Sequence, residues 1–497
     1  MKRSGSSLRN FLSRLGLLLF NPQGAVGLMR RARTRFASKS NNHQGASGSG
    51  GSRKPGKRKD FMIRGAMILA VYAGAVLIPV LGFLWIPGEA EHGVIFDLGR
   101  AAGVGGFAIL LMQAVLAGRF KAVEKPFGFD MVIRFHQAMG VFGLLLLLSH
   151  PVLLAWGGGG WNLLFSLQLP WEIWVGKAAL VLLLVQVGVS VFREKVGLGF
   201  QKWRILHDIL AVSLLGAVFL HSWVAGDDLE HPFYRTVWIL LLVLAGGTFL
   251  FHRFLRPALL ARKPWDVTRV DEEAPGVWSV GMKPGTGTAP AHHPGQFHFL
   301  TFKRGRGLPV EEHHFTISSS PTEEGEITST IKESGDFTAT MGETRAGDQV
   351  VVHGPFGRFS SALQPEDEKI LFIAGGIGIT PIRSMLRYMA DRGEDRDVVL
   401  LFGNISEDDI VFRQELEALT GGDRPALKVV HILSDPGEGW TGPRGFVDRE
   451  VVETHCPDVT QRTTYLCGPP PMAEMVRGAL EELGVGSGRL REEKFSF

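Results

Sequence analysis

Cysteine is scarce in this sequence of 497 residues, which contains only Cys456 and Cys467. Two cysteines cannot build the disulfide framework that stabilises many small secreted domains. No cysteine metal site follows from them either. We therefore predict neither a disulfide scaffold nor a cysteine metal site.

Acidic side chains are almost absent from the first 60 residues. This segment contains 14 Lys and Arg and one acidic residue, Asp60, which leaves 39 basic (53 less 14) and 48 acidic residues (49 less 1) for the rest of the chain. The remainder is therefore acidic, and nucleic-acid binding by the folded parts is not indicated. A basic tail beside a membrane helix is typical of the cytoplasmic face and of anionic lipid, but a solvated tail without a partner explains the composition equally well.

The apolar residues are unevenly distributed along a chain that is too long for one domain. Residues 61–256 contain long apolar runs, whereas residues 262–497 have the composition of a soluble α/β protein. Residues 8–20 are predicted to form an interfacial helix, and residues 38–60, rich in Ser, Gly, Asn and Lys, a disordered linker. Six membrane spans are predicted, at about 62–86, 94–117, 131–155, 173–192, 204–224 and 235–255.

Lys and Arg are absent from the loops that follow the first, third and fifth predicted spans. The loops after the second, fourth and sixth spans are basic, with the sequences GRFKAVEKPFGFD, REKVGLGFQKWR and HRFLRPALLARK. The positive-inside rule then places both termini and the soluble half in the cytoplasm of a multi-pass protein of the cell membrane. The third and fifth spans run in the same direction, from inside to outside.

Four histidines occupy matched positions in these two parallel spans. His136 and His150 lie in the third span and His207 and His221 in the fifth, and each pair is separated by 14 residues. Fourteen residues make about 3.9 helical turns, which places both histidines of a helix on one face, roughly 21 Å apart in a hydrocarbon core of about 30 Å. His136 would face His207 near the inner leaflet, and His150 would face His221 near the outer leaflet. Facing imidazoles are the ligands of a bis-histidine haem, and two stacked haems provide a path for electrons across a membrane.

Packing offers an alternative explanation for a single membrane histidine, which can hydrogen-bond a neighbouring helix. Ionisable groups in the bilayer are costly, however, and four of them in two matched pairs favour a functional role. Arg100 lies near the outer end of the second span. Its side chain either reaches the membrane interface or faces the outer haem, near a propionate or a bound acceptor.

The soluble half contains two kinds of pattern. Strands separated by Gly and Pro turns in residues 262–366 predict an antiparallel β-barrel. Strands that alternate with helices in residues 367–497 predict an α/β domain with a parallel sheet. The predicted fold is therefore multi-domain: a basic, largely disordered tail (1–60), an all-α six-helix transmembrane haem bundle (61–258), the barrel and the α/β domain.

A glycine-rich turn from Gly375 to Pro381 follows a predicted strand and opens a predicted helix. Glycines there let the backbone approach a pyrophosphate, and a helix N-terminus favours its negative charge. The turn is not the GxGxxG fingerprint, because Pro381 stands where the third glycine would fall. The turn alone is a weak signal for dinucleotide binding.

The soluble half carries motifs in a specific order: His313-His314-Phe315-Thr316-Ile317-Ser318-Ser319, Ile331-Lys332, Gly335-Asp336-Phe337-Thr338, Gly354-Pro355-Phe356-Gly357, Gly375–Pro381 and Cys467-Gly468-Pro469-Pro470. This ordered set resembles the ferredoxin–NADP⁺ reductase module. Joined to six spans with paired histidines, it resembles the bacterial type of the ferric reductase and NADPH oxidase superfamily, over about residues 61–497.

The resemblance implies an FAD site in the barrel. Phe315 and Thr316 would contact the flavin ring, and His313 would face the FAD phosphates. His314, the next residue, stands where the oxidases usually have proline, and it is included among the expected FAD contacts. The remaining expected FAD contacts are Ile331, Lys332, Gly335, Asp336, Phe337 and Thr338.

The resemblance also implies a nicotinamide dinucleotide site in the α/β domain. Cys467, Gly468 and Pro469 would lie beside the nicotinamide, and the terminal Phe497 would cover the flavin face on which the nicotinamide stacks. Catalytic roles are implied for Arg100, Thr316, Cys467 and Phe497. The other expected dinucleotide contacts are Gly375, Gly376, Gly378, Ile379, Thr380, Pro381, Gly403 and Asn404.

The expected function is transfer of electrons from NAD(P)H through FAD and two b-type haems to an acceptor across the lipid bilayer. NADPH is expected from the resemblance, with NADH as the alternative, because Ser406 has no basic neighbour and Arg413 is the nearest candidate for a 2′-phosphate. The favoured acceptor is O2, which gives superoxide, since Arg100 matches an arginine that oxidases place by the outer haem. A ferric or cupric chelate is the second acceptor, because Leu154 departs from the oxidase pattern and the outer loops are short. The third is a partner protein or a quinone.

Overall fold

The structure is a computed structural model that describes residues 56–85 and 93–494. The predicted interfacial helix at 8–20, most of the predicted linker and Phe497 lie outside these residues. The chain divides into two compact units. The first unit is helical and consists of two segments, which end at Gly118 and at Phe249. The other, the reductase unit, consists of Arg119–Asp130 and of the residues from Leu250 onwards.

Long apolar helices make up the first unit, and in the described residues six are long and apolar enough to cross a membrane. The first helix begins at Gly56, so the last five residues of the predicted linker are helical. The sixth continues beyond the predicted 255 to Ala261 through a π-helical turn, Phe251–Leu255. The prediction of six spans is confirmed. The helices up to the reductase strands are α1 Gly56–Trp85, α2 Val94–Ala117, α3 Lys121–Phe127, α4 Phe129–Leu154, α5 Asn162–Phe165, α6 Trp171–Val191, α7 Phe200–Ala225, α8 Pro232–Leu250 and α9 Arg256–Ala261.

Small residues on α2 let it pack closely against α4. A Cβ on Gly106 would come within 2.6 Å of the Leu147 side chain, and a Cβ on Gly99 within 3.0 Å of the backbone of Leu154. Membrane helices commonly meet through such small residues, because apolar side chains gain little by leaving lipid. The helix α4 passes into a π-helical turn, Ala155–Gly159, where Gly158 adopts a φ of 130° that favours glycine.

An antiparallel sheet of six strands forms the first part of the reductase unit, in the order β4-β3-β6-β1-β2-β5. Its interior contains fully buried apolar side chains, among them Val280, Leu300 and Phe302. The alternating strand pattern of the sequence produces this core, because one face of each strand is apolar. The strands are β1 Trp265–Ala274, β2 Val277–Pro284, β3 Phe297–Lys303, β4 Glu312–Thr316, β5 Ile327–Lys332 and β6 Gln349–Phe356.

A parallel sheet in the order β11-β10-β7-β8-β9 forms the second part, with helices packed against it. The central strand β7 is apolar throughout, as expected for a strand covered on both faces, and the residues Ile370–Ala374 are fully buried. The predicted antiparallel and parallel classes are both confirmed. The elements are β7 Lys369–Gly375, α10 Ile379–Asp391, β8 Asp397–Asn404, α11 Arg413–Thr420, β9 Ala426–Leu433, α12 Arg449–His455, β10 Thr463–Cys467, α13 Pro470–Glu482 and β11 Leu490–Glu493.

The segment between α2 and α4 folds with the reductase unit. The backbone N–H of Gly357 donates to Glu124 Oε1 of α3 at 2.9 Å, and Arg358 Nη1 donates to the carbonyl of Lys125 at 2.7 Å. Burial raises the pKa of Glu124, while the bond from Gly357 opposes that rise. The ring of Phe129 lies 5.8 Å from that of Phe297, within a buried aromatic group that also contains Phe299 and Phe356. Sequence reasoning treated this segment only as a basic loop.

Candidate functional site

The four predicted histidines form two pairs in the helical unit. The ring centres of His136 and His207 are 6.4 Å apart, and those of His150 and His221 are 6.5 Å apart. A metal–imidazole bond of about 2 Å on each side, with about 1 Å more from each nitrogen to its ring centre, gives a separation of about 6 Å. Both pairs therefore have the spacing of two imidazoles that bind one metal ion from opposite sides.

Backbone carbonyls on neighbouring helices orient the rings of the outer pair. His150 Nδ1 lies 2.8 Å from the carbonyl oxygen of Gly99 on α2, and His221 Nδ1 lies 2.9 Å from that of Glu172 on α6. A carbonyl can only accept, so each Nδ1 carries the proton and each Nε2 keeps its lone pair. This is the usual arrangement of a histidine that ligates a metal.

In the inner pair, two polar side chains contact the ring of His207. Its Nδ1 lies 3.2 Å from Ser190 Oγ, which donates its proton to the carbonyl of Gln186 and can therefore accept from the ring. The side-chain amide of Gln186 lies 3.0 Å from the same nitrogen and donates to the carbonyl of His207 at 3.2 Å. Both partners are on α6, so α6 positions the two histidines of α7.

Two glycines leave room for the outer rings. A Cβ on Gly103 would lie 2.8 Å from His150 Nδ1, and a Cβ on Gly176 would lie 2.7 Å from His221 Cε1. Any larger residue would displace the imidazole. Sequence reasoning missed both glycines, because their requirement arises only when two helices meet.

The donor set fits haem iron. Within residues 56–85 and 93–494 no group of three or more His, Cys, Asp or Glu side chains could hold a metal ion. Each histidine pair offers two nitrogens, which suits an iron that already has four ligands from a macrocycle. The residues His136, His207, His150 and His221 would hold two such groups.

Arg100 lies on α2 between the two glycines that contact His150. Its guanidinium pairs with Asp97 at 3.6 Å, and its side chain is 19% exposed. A mostly buried cation next to Gly99, whose carbonyl contacts His150, is consistent with either predicted role, at the interface or beside the outer metal.

The expected FAD residues of β4 separate onto its two faces. The ring of His313 stacks on that of Phe337 with centres 4.2 Å apart and lies 6.3 Å from that of Phe315. His314 projects to the other face, where its ring centre is 6.0 Å from those of Phe297 and Phe299. His313, Phe315 and Phe337 therefore form one surface, and the predicted FAD contact of His314 stays a prediction.

The other expected FAD residues lie beside this surface or next to it in the chain. Thr316 ends β4 and is 6% exposed, and Ile331 is buried on β5. Lys332 Nζ lies 4.0 Å from Asp409 Oδ1. Thr338 Oγ1 accepts from the N–H of Ser334 at 2.8 Å and donates to the carbonyl of Gly335, which closes the turn that contains Asp336.

The glycine-rich turn packs directly against the end of β10. A Cβ on Gly378 would lie 2.2 Å from the carbonyl oxygen of Cys467, and a Cβ on Gly375 would lie 2.3 Å from Met472 Sδ. Gly376 has a φ of 51°, which also favours glycine. Ile379, Thr380 and Pro381 follow as the buried first turn of α10. The turn can approach Cys467–Gly468 only because these positions lack side chains.

This contact lies at the topological switch point of the parallel sheet. From β7 the chain proceeds through β8 and β9 on one side and through β10 and β11 on the other. Ligands of such sheets bind beyond the carboxyl ends of the strands at the switch point. The carboxyl ends of β7, β8 and β10 carry Gly375, Gly403-Asn404 and Cys467, followed by Gly468 and Pro469. In the described part of the chain the Asn404 amide has no hydrogen-bond partner, although the residue is only 7% exposed, so its polar atoms are available to a ligand.

A carboxyl group with a raised pKa lies beside Cys467. Glu493 on β11 is the register partner of Cys467. Burial, assisted by the negative charge of Asp130, raises the pKa of Glu493 to about 8. Burial also raises the pKa of the Cys467 thiol. Both shifts favour the neutral forms of these groups at the nucleotide edge of the sheet. Sequence reasoning missed Glu493; the only signal was its place in the terminal EEKFSF.

The residues considered for a 2′-phosphate are engaged by carboxylates. Ser406 donates from its hydroxyl and its backbone N–H to Asp409 Oδ2, at 2.8 and 3.1 Å. Arg413 pairs with Glu407 at 2.9 Å and with Glu417 at 3.2 Å. The end of β8 is therefore followed by an acidic surface.

Comparison with known proteins agrees with this division. Residues 102–218 match the model of the ferric reductase like transmembrane component, and residues 372–478 match that of the oxidoreductase NAD-binding domain. The chain is 34% identical to NADH-cytochrome b5 reductase 1 of Dictyostelium discoideum over 197 residues, which are 36% of this chain and 68% of that protein. It is also 34% identical over 206 residues to the glycine betaine monooxygenase reductase subunit of Pseudomonas aeruginosa, covering 41% of this chain and 56% of that protein. The chain thus spans little more than half of that relative.

A solved structure, the cytochrome b5 reductase domain of Ulva prolifera nitrate reductase, is similar at 23% identity with a TM-score of 0.41, covering 46% of this chain and 97% of that chain. The two matched domains define the class of protein: a membrane domain like the ferric reductase transmembrane component, joined to an oxidoreductase NAD-binding module. The chain belongs to the ferric reductase and NADPH oxidase-like superfamily, in which a ferric reductase-like transmembrane domain is fused to a ferredoxin reductase-type FAD and NAD-binding module.

Proposed function

We propose that this protein carries electrons from NAD(P)H across the membrane through FAD and two b-type haems to an acceptor on the far side. Two histidine pairs on two membrane-spanning helices support this proposal most strongly. Their ring centres are 6.4 Å apart in one pair and 6.5 Å apart in the other. When bound, FAD would supply the exchange between two-electron and one-electron chemistry, and haem iron would carry single electrons.

The chain's own residues would bind and orient these groups. The carbonyls of Gly99 and Glu172 keep the outer Nε2 atoms free of protons, and Gly103 and Gly176 provide the space for the rings. The Gly375–Gly378 turn would receive the dinucleotide pyrophosphate at the start of α10. Glu493 would keep a proton beside the nicotinamide position, so that no buried negative charge opposes binding there.

The basic loops support a cytoplasmic reductase module. The reductase unit contains the segment Arg119–Asp130 and the residues from Leu250 onwards. The loops after the second and sixth spans, which are rich in Lys and Arg, lie in these two segments. By the positive-inside rule these loops face the cytoplasm. The outer histidine pair would then deliver electrons outside it.

Molecular oxygen is the favoured acceptor. Both haem irons would have two histidine ligands, so an acceptor would react at the haem edge rather than on the metal. Arg100, largely buried and next to Gly99, whose carbonyl contacts His150, can attract an anion such as superoxide as it forms. A ferric or cupric chelate is the second candidate. The connection between α4 and α6 is short, its helix α5 has only four residues, and both Trp161 before α5 and Phe165 at its end are exposed.

An acceptor assay on the purified full chain separates these functions. We expect two haems per chain, reduction of both by NADH or NADPH, and superoxide formation in air without additives. Turnover that requires a ferric chelate would identify the second function. Haem reduction without either activity would point to a partner protein or a quinone. A preparation that binds FAD but no haem would contradict the proposal.

The acidic surface after β8 favours NADH over NADPH. The 2′-phosphate of NADPH would meet Glu407, Asp408 and Asp409, whose charges repel it. A relative with 34% identity is named as an NADH-cytochrome b5 reductase, which agrees with this preference.

We therefore expect kcat/KM for flavin reduction to be at least about tenfold higher with NADH than with NADPH. A difference of about tenfold is the size expected when one charge-assisted contact is lost. The variant Glu407→Gln leaves Arg413 less neutralised and should raise kcat/KM for NADPH about tenfold with little change for NADH. Stopped-flow measurement of flavin reduction with both nucleotides provides the test. Glu481→Gln, at an exposed position on α13, is the control. Equal use of both nucleotides by the unmodified protein would refute the preference.

A further inference from the structure

The two histidine pairs of the helical unit differ in the hydrogen bonds that their rings make. In the outer pair, His150 Nδ1 lies 2.8 Å from the carbonyl oxygen of Gly99, and His221 Nδ1 lies 2.9 Å from that of Glu172. Both distances are those of short hydrogen bonds, and peptide carbonyls are strong acceptors. Each outer ring therefore donates its Nδ1 proton to a strong acceptor.

The inner pair has weaker acceptors. Within the described residues, two groups lie at hydrogen-bond distance from His207 Nδ1: Ser190 Oγ at 3.2 Å, which can accept, and Gln186 Nε2 at 3.0 Å, which carries hydrogens itself. The ring of His136 lies next to the backbone of Gln113. In the described part of the chain, however, no acceptor meets the buried Nδ1 of His136 at the distance and angle of a hydrogen bond.

This difference between the outer and inner ends occurs twice in the helical unit. On each supporting helix, the residue beside an outer histidine and the residue beside an inner histidine are 14 positions apart, as the histidines themselves are: Gly99 and Gln113 on α2, and Glu172 and Gln186 on α6. The helices α2 and α4 therefore correspond to α6 and α7. Since both pairs of helices offer a carbonyl acceptor at the outer end and a weaker contact at the inner end, the difference belongs to the two levels of the bundle and not to one ring.

The hydrogen bond at Nδ1 influences how readily a metal on Nε2 accepts an electron. A ring that donates strongly becomes a more basic ligand, which stabilises the oxidised iron. A ring that donates weakly stabilises the oxidised iron less, so iron between two such rings is easier to reduce. The hydrogens of the Gln186 amide act in the same direction, because their partial positive charge opposes the proton on His207 Nδ1.

We propose that these hydrogen bonds give the inner haem a higher reduction potential than the outer haem, with Ser190 and Gln186 as positioning residues that act through His207. This inference rests on the proposed function, since it requires both haems to be bound. One electron at a time would pass from the inner to the outer haem, with no proton transferred. An electron would rest on the inner haem until an acceptor oxidises the outer one, which is the stronger reductant of the two.

Spectroelectrochemical titration of the full chain with two bound haems measures both potentials. We expect two one-electron steps that differ by at least about tenfold in equilibrium constant, or about 59 mV. Ser190→Ala removes the hydroxyl that accepts from His207, so the higher step should move up by about fivefold, the effect of one ordinary hydrogen bond, while the lower step stays. Ser190→Thr keeps a hydroxyl and should retain the original value. Ser213→Ala, at an exposed position on α7, is the control and should change neither step.

Gln186→Leu tests the same ring in the opposite direction. This change removes the amide hydrogens that oppose the Nδ1 proton, so the higher step should move to a lower potential. Gln186 and Ser190 lie one turn apart on α6, and loosened packing would not shift the potential in opposite directions at these two positions.

Three results would overturn the inference while leaving the proposed electron path intact. They are equal potentials for the two haems, a response of the lower step to Ser190→Ala, and shifts of the same sign in Ser190→Ala and Gln186→Leu. A full chain that binds no haem would overturn both the inference and the proposed function, so the two failures are distinguishable.

Discussion

Replacing His207 by leucine should remove haem from the inner pair and stop NAD(P)H-driven reduction of the outer one. Leucine has no nitrogen to offer, so His136, whose ring centre is 6.4 Å from that of His207, would be the only residue of the pair left to hold the group. Loss of an outer-sphere partner alone costs roughly 10–100-fold in metal affinity, and loss of a ligand costs more, so acceptor turnover should fall by more than about 100-fold. Haem content and reduced-haem spectra of the purified protein measure both effects.

The control for this change is His231→Leu, which removes an exposed histidine that follows α7 and lies outside both pairs. That variant should keep both haems and normal turnover. Flavin reduction by NADH should survive in His207→Leu, because the reductase unit is untouched. Unchanged haem content and haem reduction in His207→Leu would refute the assignment of the inner pair.

Replacing Gly378 by alanine should abolish nucleotide-driven flavin reduction. The added Cβ would lie 2.2 Å from the carbonyl oxygen of Cys467, which is backbone and cannot rotate away. The turn or the end of β10 must therefore move by about 1 Å, and a displacement of that size at a reacting site can cost about 100-fold in rate. Stopped-flow absorbance of the flavin after mixing with NADH measures the loss.

Chemical reduction separates this defect from a failure to bind cofactors. Dithionite should reduce flavin and haem in Gly378→Ala as in the unmodified protein. Gly437→Ala is a matched control, since a Cβ there meets nothing within 4 Å and its φ is not positive. Near-normal reduction by NADH in Gly378→Ala would show that the turn is not part of the nucleotide site.

The histidine pairs could be predicted from the sequence because helix geometry and the charges of the loops together suggest them. A spacing of 14 residues fixes the face, and the loop charges fix the direction of each span. The groups that orient the rings could not be predicted in this way. Gly99, Glu172 and Ser190 contact histidines that are 17 to 51 positions away in the chain. Which helix supplies them is decided by packing between helices.

The reductase fold was predictable from the order of its motifs, whereas several details of its site were not. Alternation along β4 separates His313 from His314, and the ring contacts with Phe337 and Phe297, rather than the motif, show which face each one takes. Glu493 acquires its raised pKa from burial and from Asp130, a residue more than 350 positions earlier. Such an effect of distant neighbours leaves no local pattern in the sequence.

The docking of α3 against the reductase strands implies an order of assembly during synthesis. The contact between Glu124 and Gly357 joins residues 233 positions apart. At a translation rate of roughly 5–20 residues per second, roughly 10–50 s pass between the appearance of the two partners. The helices α2 and α4 have emerged long before the strands that bind the segment between them. The reductase unit must therefore finish folding around a segment already tethered at both ends to the membrane. A reductase module made as a separate polypeptide from residue 262 would lack this segment, leave the rings of Phe297, Phe299 and Phe356 without the cover of Phe129, and be prone to self-association.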